Sequence, residues 1–476
     1  MENKVESAKK FTRRYDTVFA FLTLELVALT CFGLGGVTGL RIMEILGFFI
    51  SLFAIPFLRL NYTQEDFKAN LKVIIPLGVL FLLIGCSGFF CRLYGVLGNG
   101  SFINKLSSII VMLAESIGLL GFFLFGMTIN GNKAAKKDFI LYALLGGLAL
   151  YCVIVGLYSV ARYGIFYAAR FNGMFYYYKG VLFPVSTEGK MLLGFSFAEV
   201  SLKYGCIASI LLGSSGACLF AISPKNDRRR FAIFASLSFI GILYNAVIPY
   251  LPGLVFIGIS FLFGLVYSLI RRATKNNEGA QKKVRFIFKI VWFVLIGVAA
   301  VVILLFLIES KAHLISNLCN AIFHRVPGFV SNTLSVADDV LYNGAPDLGK
   351  INLGSLLFGY NEASLNVHLT RFFPLNFLVE NGLIAFLLLV ALVFFAMRNS
   401  RDFLARGEDD LFFRLAVTGM MLAAFLYVCF YADEIPLAHQ STTIYPFSQS
   451  NYMMVLMFLF GLSYVPFKAK EGNNHE

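Results

Sequence analysis

Apolar runs of about 20 residues, the length a spanning helix needs, recur along the chain with short charged segments between them. About twelve can be drawn, near 16–36, 42–59, 71–91, 107–129, 139–161, 196–222, 231–250, 252–270, 286–308, 375–397, 411–431 and 449–467. The pattern predicts an all-α, polytopic membrane fold of about 12 transmembrane helices, forming a single unit over 1–476. Between Pro249 and Pro252 the break is very short. A tight hairpin is expected there, because proline cannot continue a helix without losing a hydrogen bond. One long polar segment, 309–374, interrupts the alternation. It holds His313, His324 and His368 with Lys311, Arg325, Lys350, Arg371, Asp338, Asp339, Asp347 and Glu362.

Composition agrees with the pattern. The 476 residues are 58% hydrophobic and only 14% charged, against about 25% charged in soluble domains. The net charge of +13 would suit nucleic acid, but its distribution points elsewhere. With a cytoplasmic N-terminus, 28 of the 40 Lys and Arg fall on the cytoplasmic side of every loop pair, as the positive-inside rule requires. No nucleic-acid partner is expected. The basic stretch 1–14 followed by apolar sequence from Thr17 resembles the start of a signal peptide. Glu25 interrupts the run and no small-x-small site follows, so an uncleaved first helix is expected, with both termini cytoplasmic in a multi-pass cytoplasmic (inner) membrane protein. The eight cysteines show no metal or disulfide spacing and read as small buried hydrophobes. There is no internal repeat of the kind many secondary transporters carry.

Two long outer segments carry candidate chemistry. The first, 162–190, contains Arg162, Arg170-Phe171-Asn172-Gly173-Met174-Phe175, Tyr176, Tyr177, Tyr178 and Lys179. Arginine forks onto phosphate oxygens, and aromatic faces suit sugars. A basic, aromatic outer loop therefore fits a lipid-linked sugar diphosphate; an interfacial aromatic belt with snorkelling cations is the plainer alternative. The second, 309–374, closes with Gly359-Tyr360-Asn361, His368 and Arg371 before Glu380-Asn381-Gly382 opens a new apolar run. A histidine can take a proton from a sugar hydroxyl near neutral pH, and an arginine can neutralise a departing pyrophosphate. His368 could equally be a solvated loop residue. Glu199 and Lys203 stand four apart, spaced for a same-face pair near the membrane surface, either functional or a structural ion pair. The first outer loop, 33–41, has no carboxylate; no metal and no cofactor are expected.

The segment Leu357-Phe358-Gly359-Tyr360 … His368 … Arg371 … Leu378-Val379-Glu380-Asn381-Gly382-Leu383-Ile384 resembles the O-antigen ligase and O-antigen polymerase superfamily. Arg170-Phe171-Asn172-Gly173-Met174-Phe175 is similar to the "Arg-x-x-Gly-x-Phe" element of the same superfamily. The resemblance covers the chain by architecture and about 40 residues by motif. It implies a GT-C-like membrane glycosyltransferase with a large extracytoplasmic loop. That enzyme would move an undecaprenyl-diphosphate-linked oligosaccharide onto a glycan or lipid-core acceptor in surface polysaccharide biosynthesis. It also implies catalytic roles for Arg170, Arg371 and His368. The residues themselves, by type and position, make Lys179, Arg162, Tyr177, Tyr360, Glu380, Glu199 and Lys203 substrate-binding candidates. Two departures stand. The family's histidine falls nine residues before its Glu, where this chain has Arg371 and carries His368 one turn earlier; and the glycine turn lacks a second glycine. Expected partners are the lipid-linked donor, the acceptor, membrane lipid, and a chain-length regulator or flippase. The alternatives are a transporter or flippase of lipid-linked saccharide, a peptidoglycan-type polymerase, and a non-catalytic assembly scaffold.

Overall fold

The computed structural model describes residues 18–24, 66–80, 118–130, 137–163, 191–192, 195–196, 208–222, 227–247, 251–274, 357, 373–405, 410–431 and 451–465. Ten helices lie among them: α1 (18–24), α2 (66–80), α3 (Gly118–Asn130), α4 (Lys137–Tyr163), α5 (Ala208–Ala221), α6 (Arg228–Val247), α7 (Leu251–Thr274), α8 (Phe373–Ala405), α9 (Leu411–Tyr431) and α10 (Asn451–Ser463). The expected all-α character holds for the described residues, apart from one two-residue antiparallel pairing. Met191 faces Ser196 and Leu192 faces Phe195. Ser196 was expected to open a span; instead it is extended. Two residues separate the paired segments in sequence.

Among the described residues, three helical stretches are long and apolar enough to cross a membrane: Lys137–Ile154, Gly253–Arg272 and Gly382–Ala405. Their outward faces agree. Leu157 on α4 and Leu262 on α7 are 65% and 60% exposed. Large apolar side chains laid open along whole helices would be an aggregation liability in water and are ordinary against lipid. The inward stripe of α4, including Leu141, Leu144, Leu145, Leu148, Tyr151 and Cys152, recurs at helical spacing and is buried. Cys152 and Cys218 are both buried, as the composition suggested. The expected runs at 42–59 and 286–308 lie outside the described residues.

At the expected hairpin, α6 ends at Val247 and α7 begins at Leu251; residues 248–250 lie outside the described residues. Pro252 sits in the first turn of α7, where its missing N–H breaks no helical bond.

Polar contacts gather many helix ends at one level. Near the start of α4, Asp138 accepts from Arg230 at the start of α6, 2.9 Å. The Arg230 guanidinium lies 4.9 Å from the centre of the Phe412 ring on α9. From α9, buried Arg414 donates Nη1 to Phe403 O, 3.2 Å, while Tyr267 Oη and Arg271 Nη1 of α7 donate to Leu404 O, 2.8 and 3.4 Å. Arg272 Nη2 reaches Phe220 O, at the end of α5, 3.2 Å. Arginines thus satisfy the carbonyls that α5 and α8 leave open at their C-termini and meet the negative ends of their dipoles.

The last helix is tied into the same level. Asn399 of α8 donates Nδ2 to Ser463 O and accepts from Val465 N, both 2.7 Å. Asn130 of α3 donates to Tyr464 O, and Tyr464 Oη donates to Asn70 Oδ1 of α2, 2.7 Å. Consequently α2, α4, α6 and α9 leave this arginine-bound end, and α3, α5, α7, α8 and α10 arrive at it.

Inside, α5 lies against α6, α7 and α9 at nearly backbone distance. A Cβ on Gly264 would come within 2.5 Å of Ala217 O, and one on Gly419 within 2.6 Å of Ser214 O. The end of α5, Ser215–Ala221, winds as a 3-10 helix, whose tighter cross-section suits this crowding.

Candidate functional site

The structure positions two of the expected site residues by their backbone. Arg162 lies in the last turn of α4, where a cation complements the helix dipole. Glu380 lies in α8, two residues before a break at Gly382, whose φ of 79° and ψ of 173° belong to a region essentially reserved for glycine. The glycine of Glu380-Asn381-Gly382 is therefore required by the backbone, and the helix restarts at it. A fresh start leaves its first N–H groups without intrahelical partners and favours a carboxylate nearby.

Both residues sit at the same end of the bundle. From Asp138 to Arg162 the rise along α4 is about 36 Å, and Gly382–Ala405 is likewise about 36 Å long. The hydrocarbon core of a bilayer is about 30 Å thick. Arg162 and Glu380 are thus a full membrane thickness from the arginine-bound end. Arg170, Tyr177, Lys179, Glu199, Lys203, Tyr360, His368 and Arg371 lie outside the described residues. So do His313, His324, Asp338 and Asp339.

At the opposite end stands a cluster that the sequence reading passed over. Arg230 is held by Asp138 at 2.9 Å, by Asp227 at 3.3 Å and by the Phe412 ring. All three charged groups are partly exposed, so each pair contributes little, about 0–1 kcal/mol. Their geometry joins α4, α6 and α9, which makes this a structural junction. Among the described residues no three His, Cys, Asp or Glu side chains gather as a metal site.

The three asparagine ties also went unread, although a signal existed. Asn70 stands between Lys68 and Lys72, Asn130 precedes Lys133, and Asn399 follows Arg398. An amide next to the cations that mark a membrane boundary is placed to bind the end of a neighbouring helix. No protein-family model matches the chain, and neither does any curated protein or any solved structure.

Proposed function

We propose that this chain is a polytopic membrane glycosyltransferase of about twelve spans, in the cytoplasmic membrane with both termini cytoplasmic. It transfers an undecaprenyl-diphosphate-linked oligosaccharide to a glycan or lipid-core acceptor outside the cytoplasm. The observation that carries the reading is the placement of Glu380-Asn381-Gly382. This end of the O-antigen-polymerase-like segment sits at the break within α8, across the membrane thickness from the arginine-bound end. By the positive-inside rule the arginine-bound end is cytoplasmic, so Glu380 and Arg162 are outside. The loops that follow Arg162 and precede Glu380 then face the same compartment, where lipid-linked donors are consumed.

In this reading Arg170 and Arg371, with Lys179, hold the pyrophosphate of the donor. His368 accepts the proton of the attacking sugar hydroxyl. The hydroxyl oxygen forms the new bond to C1 as the bond from C1 to the phosphate oxygen breaks, and the electron pair leaves on undecaprenyl diphosphate. The two arginines offset that charge. Attack opposite the leaving group inverts the anomeric centre.

Arg170→Ala and Arg371→Ala should each lower long-chain glycan on the order of 100-fold or more, with unchanged amounts of protein in the membrane. Normal chain length in both variants sinks the site assignment. A second reading, transport of the lipid-linked saccharide, draws on the break at Gly382 and the 3-10 end of α5, since transporters use interrupted helices at their binding sites. Reconstituted protein separates the two: elongation of a lipid-linked repeat without an energy source supports the enzyme, and movement without elongation supports the transporter.

A further inference from the structure

The arginines of the cytoplasmic-facing end fall into two groups. Arg230, Arg271, Arg272 and Arg414 are bound to carboxylates or helix carbonyls of this chain. Arg228, Arg229 and Arg398 are exposed and have no partner among the described residues; of these, Arg228 and Arg229 stand side by side. Their position is electrostatically unfavourable. They open α6, whose first turn contains no acidic residue, and cations at a helix N-terminus meet the positive end of the dipole. Of the nearby carboxylates, Asp138 and Asp227 are both engaged by the Arg230 guanidinium, and Asp227 also accepts from Arg230 N at 3.4 Å.

Below these arginines α6 presents one continuous outer face. Arg229, Ala232, Ser236, Phe239 and Leu243 recur at spacings of three and four, and all are exposed. Two small residues therefore come first, followed by two large apolar ones, 60% and 47% exposed. From Arg229 to Phe239 the rise is about 15 Å, half the thickness of the hydrocarbon core and so the depth of one leaflet.

We infer that this face of α6 is a binding site for an anionic phospholipid of the cytoplasmic leaflet. The headgroup phosphate sits between Arg228 and Arg229, where it neutralises both cations and meets the N-terminal dipole of α6. An acyl chain lies in the shallow groove over Ala232 and Ser236 and against Phe239 and Leu243. Two unpaired cations side by side at the head of this apolar face select a negative headgroup over a zwitterionic one. The inference rests on the membrane reading alone and does not depend on glycan transfer.

Full-length protein in a mild detergent, titrated with phosphatidylglycerol or phosphatidylcholine and observed by native mass spectrometry, tests it. Wild-type protein should retain phosphatidylglycerol in preference to phosphatidylcholine. The Arg228→Ala/Arg229→Ala variant should bind it on the order of tenfold more weakly or worse, while Arg228→Lys/Arg229→Lys keeps most of the preference. Ser236→Trp, which fills the groove and leaves every charge in place, should also lose it. Undiminished preference in both the double alanine variant and Ser236→Trp overturns the site. So does competition by soluble glycerol phosphate at the same concentration as the lipid, which would make it a site for a free phosphate.

Discussion

Two regions of the bundle are built in different ways. Where α1, α2, α3 and α10 meet, the interior is aromatic. Phe19 packs on Phe125 and Phe125 on Phe458, at 6.0 and 5.1 Å between ring centres. Phe123 packs on both Phe460 and Tyr464, at 5.1 and 5.6 Å. One glycine pair, Gly126 and Gly461, lets the α3 and α10 backbones touch amid these rings. Around α5 the rings retreat to the edges. Gly213, Gly216, Gly241, Gly264 and Gly419 fill the interfaces, and hydroxyls and an amide bridge them: Ser238 Oγ to Gly213 O at 2.7 Å, Asn245 Nδ2 to Ser209 Oγ at 2.8 Å, Ser260 Oγ to Gly419 O at 3.0 Å. The difference shows two answers to one problem. Lipid is as apolar as a leucine side chain, so burying apolar area between helices gains little; dispersion contacts and interhelical hydrogen bonds remain. Rings supply the first in bulk, and small residues supply both through backbone proximity.

The largest break in this comparison should come from Gly461→Ala. Its methyl would strike Phe123 O and the α3 backbone around Gly126 and Met127, none of which can turn aside. A loss of about 3 kcal/mol or more is expected, read as a lower midpoint of thermal unfolding in detergent. Gly216→Ala, the matching change in the small-residue region, meets the Ser238 hydroxyl and the Phe261 ring, which can rotate, and should cost less than half as much. If the two variants unfold alike, the Ser238 hydroxyl and the Phe261 ring are held as firmly as the backbone around Gly126. Next is Asn399→Ala, which strands the Ser463 carbonyl and the Val465 N–H and should cost about 2 kcal/mol; faster amide hydrogen exchange at Val465 would report it locally. The smallest effect belongs to Ser260→Ala. One interhelical hydrogen bond inside a membrane bundle is worth about 0.6 kcal/mol, so the same thermal measurement should scarcely move.

Apolar runs made the helices easy to read where charges bound them closely. The expected run 411–431 is α9 itself, Leu411–Tyr431, and 231–250 and 252–270 differ from α6 and α7 by only a few residues at their ends. At α8 the expectation stopped at 397, yet the helix continues to Ala405. Hydropathy falls at the first charge, whereas helical hydrogen bonding does not. Arg398 and Arg401 point outward while Asn399, Phe403 and Leu404 are buried, an amphipathic turn that an apolar window does not recognise. Of the candidate site, the sequence offered residue types and spacings. The positive φ of Gly382 was not legible, because a glycine beside an apolar run does not declare its dihedrals. Nor could spacing reveal that Arg230, counted only as a boundary charge, is claimed by Asp138 92 residues earlier.

The tie at Tyr464 has a consequence for how the molecule is made. Its partners Asn130 and Asn70 precede it by 334 and 394 residues. At about 5–20 residues per second of synthesis, roughly 20–80 s pass between Asn70 and Tyr464. Through that interval α2 and α3 are already in place without the helix whose end satisfies their amides. The aromatic quarter is therefore a seam that closes last, and the order of synthesis is written into which helices it joins.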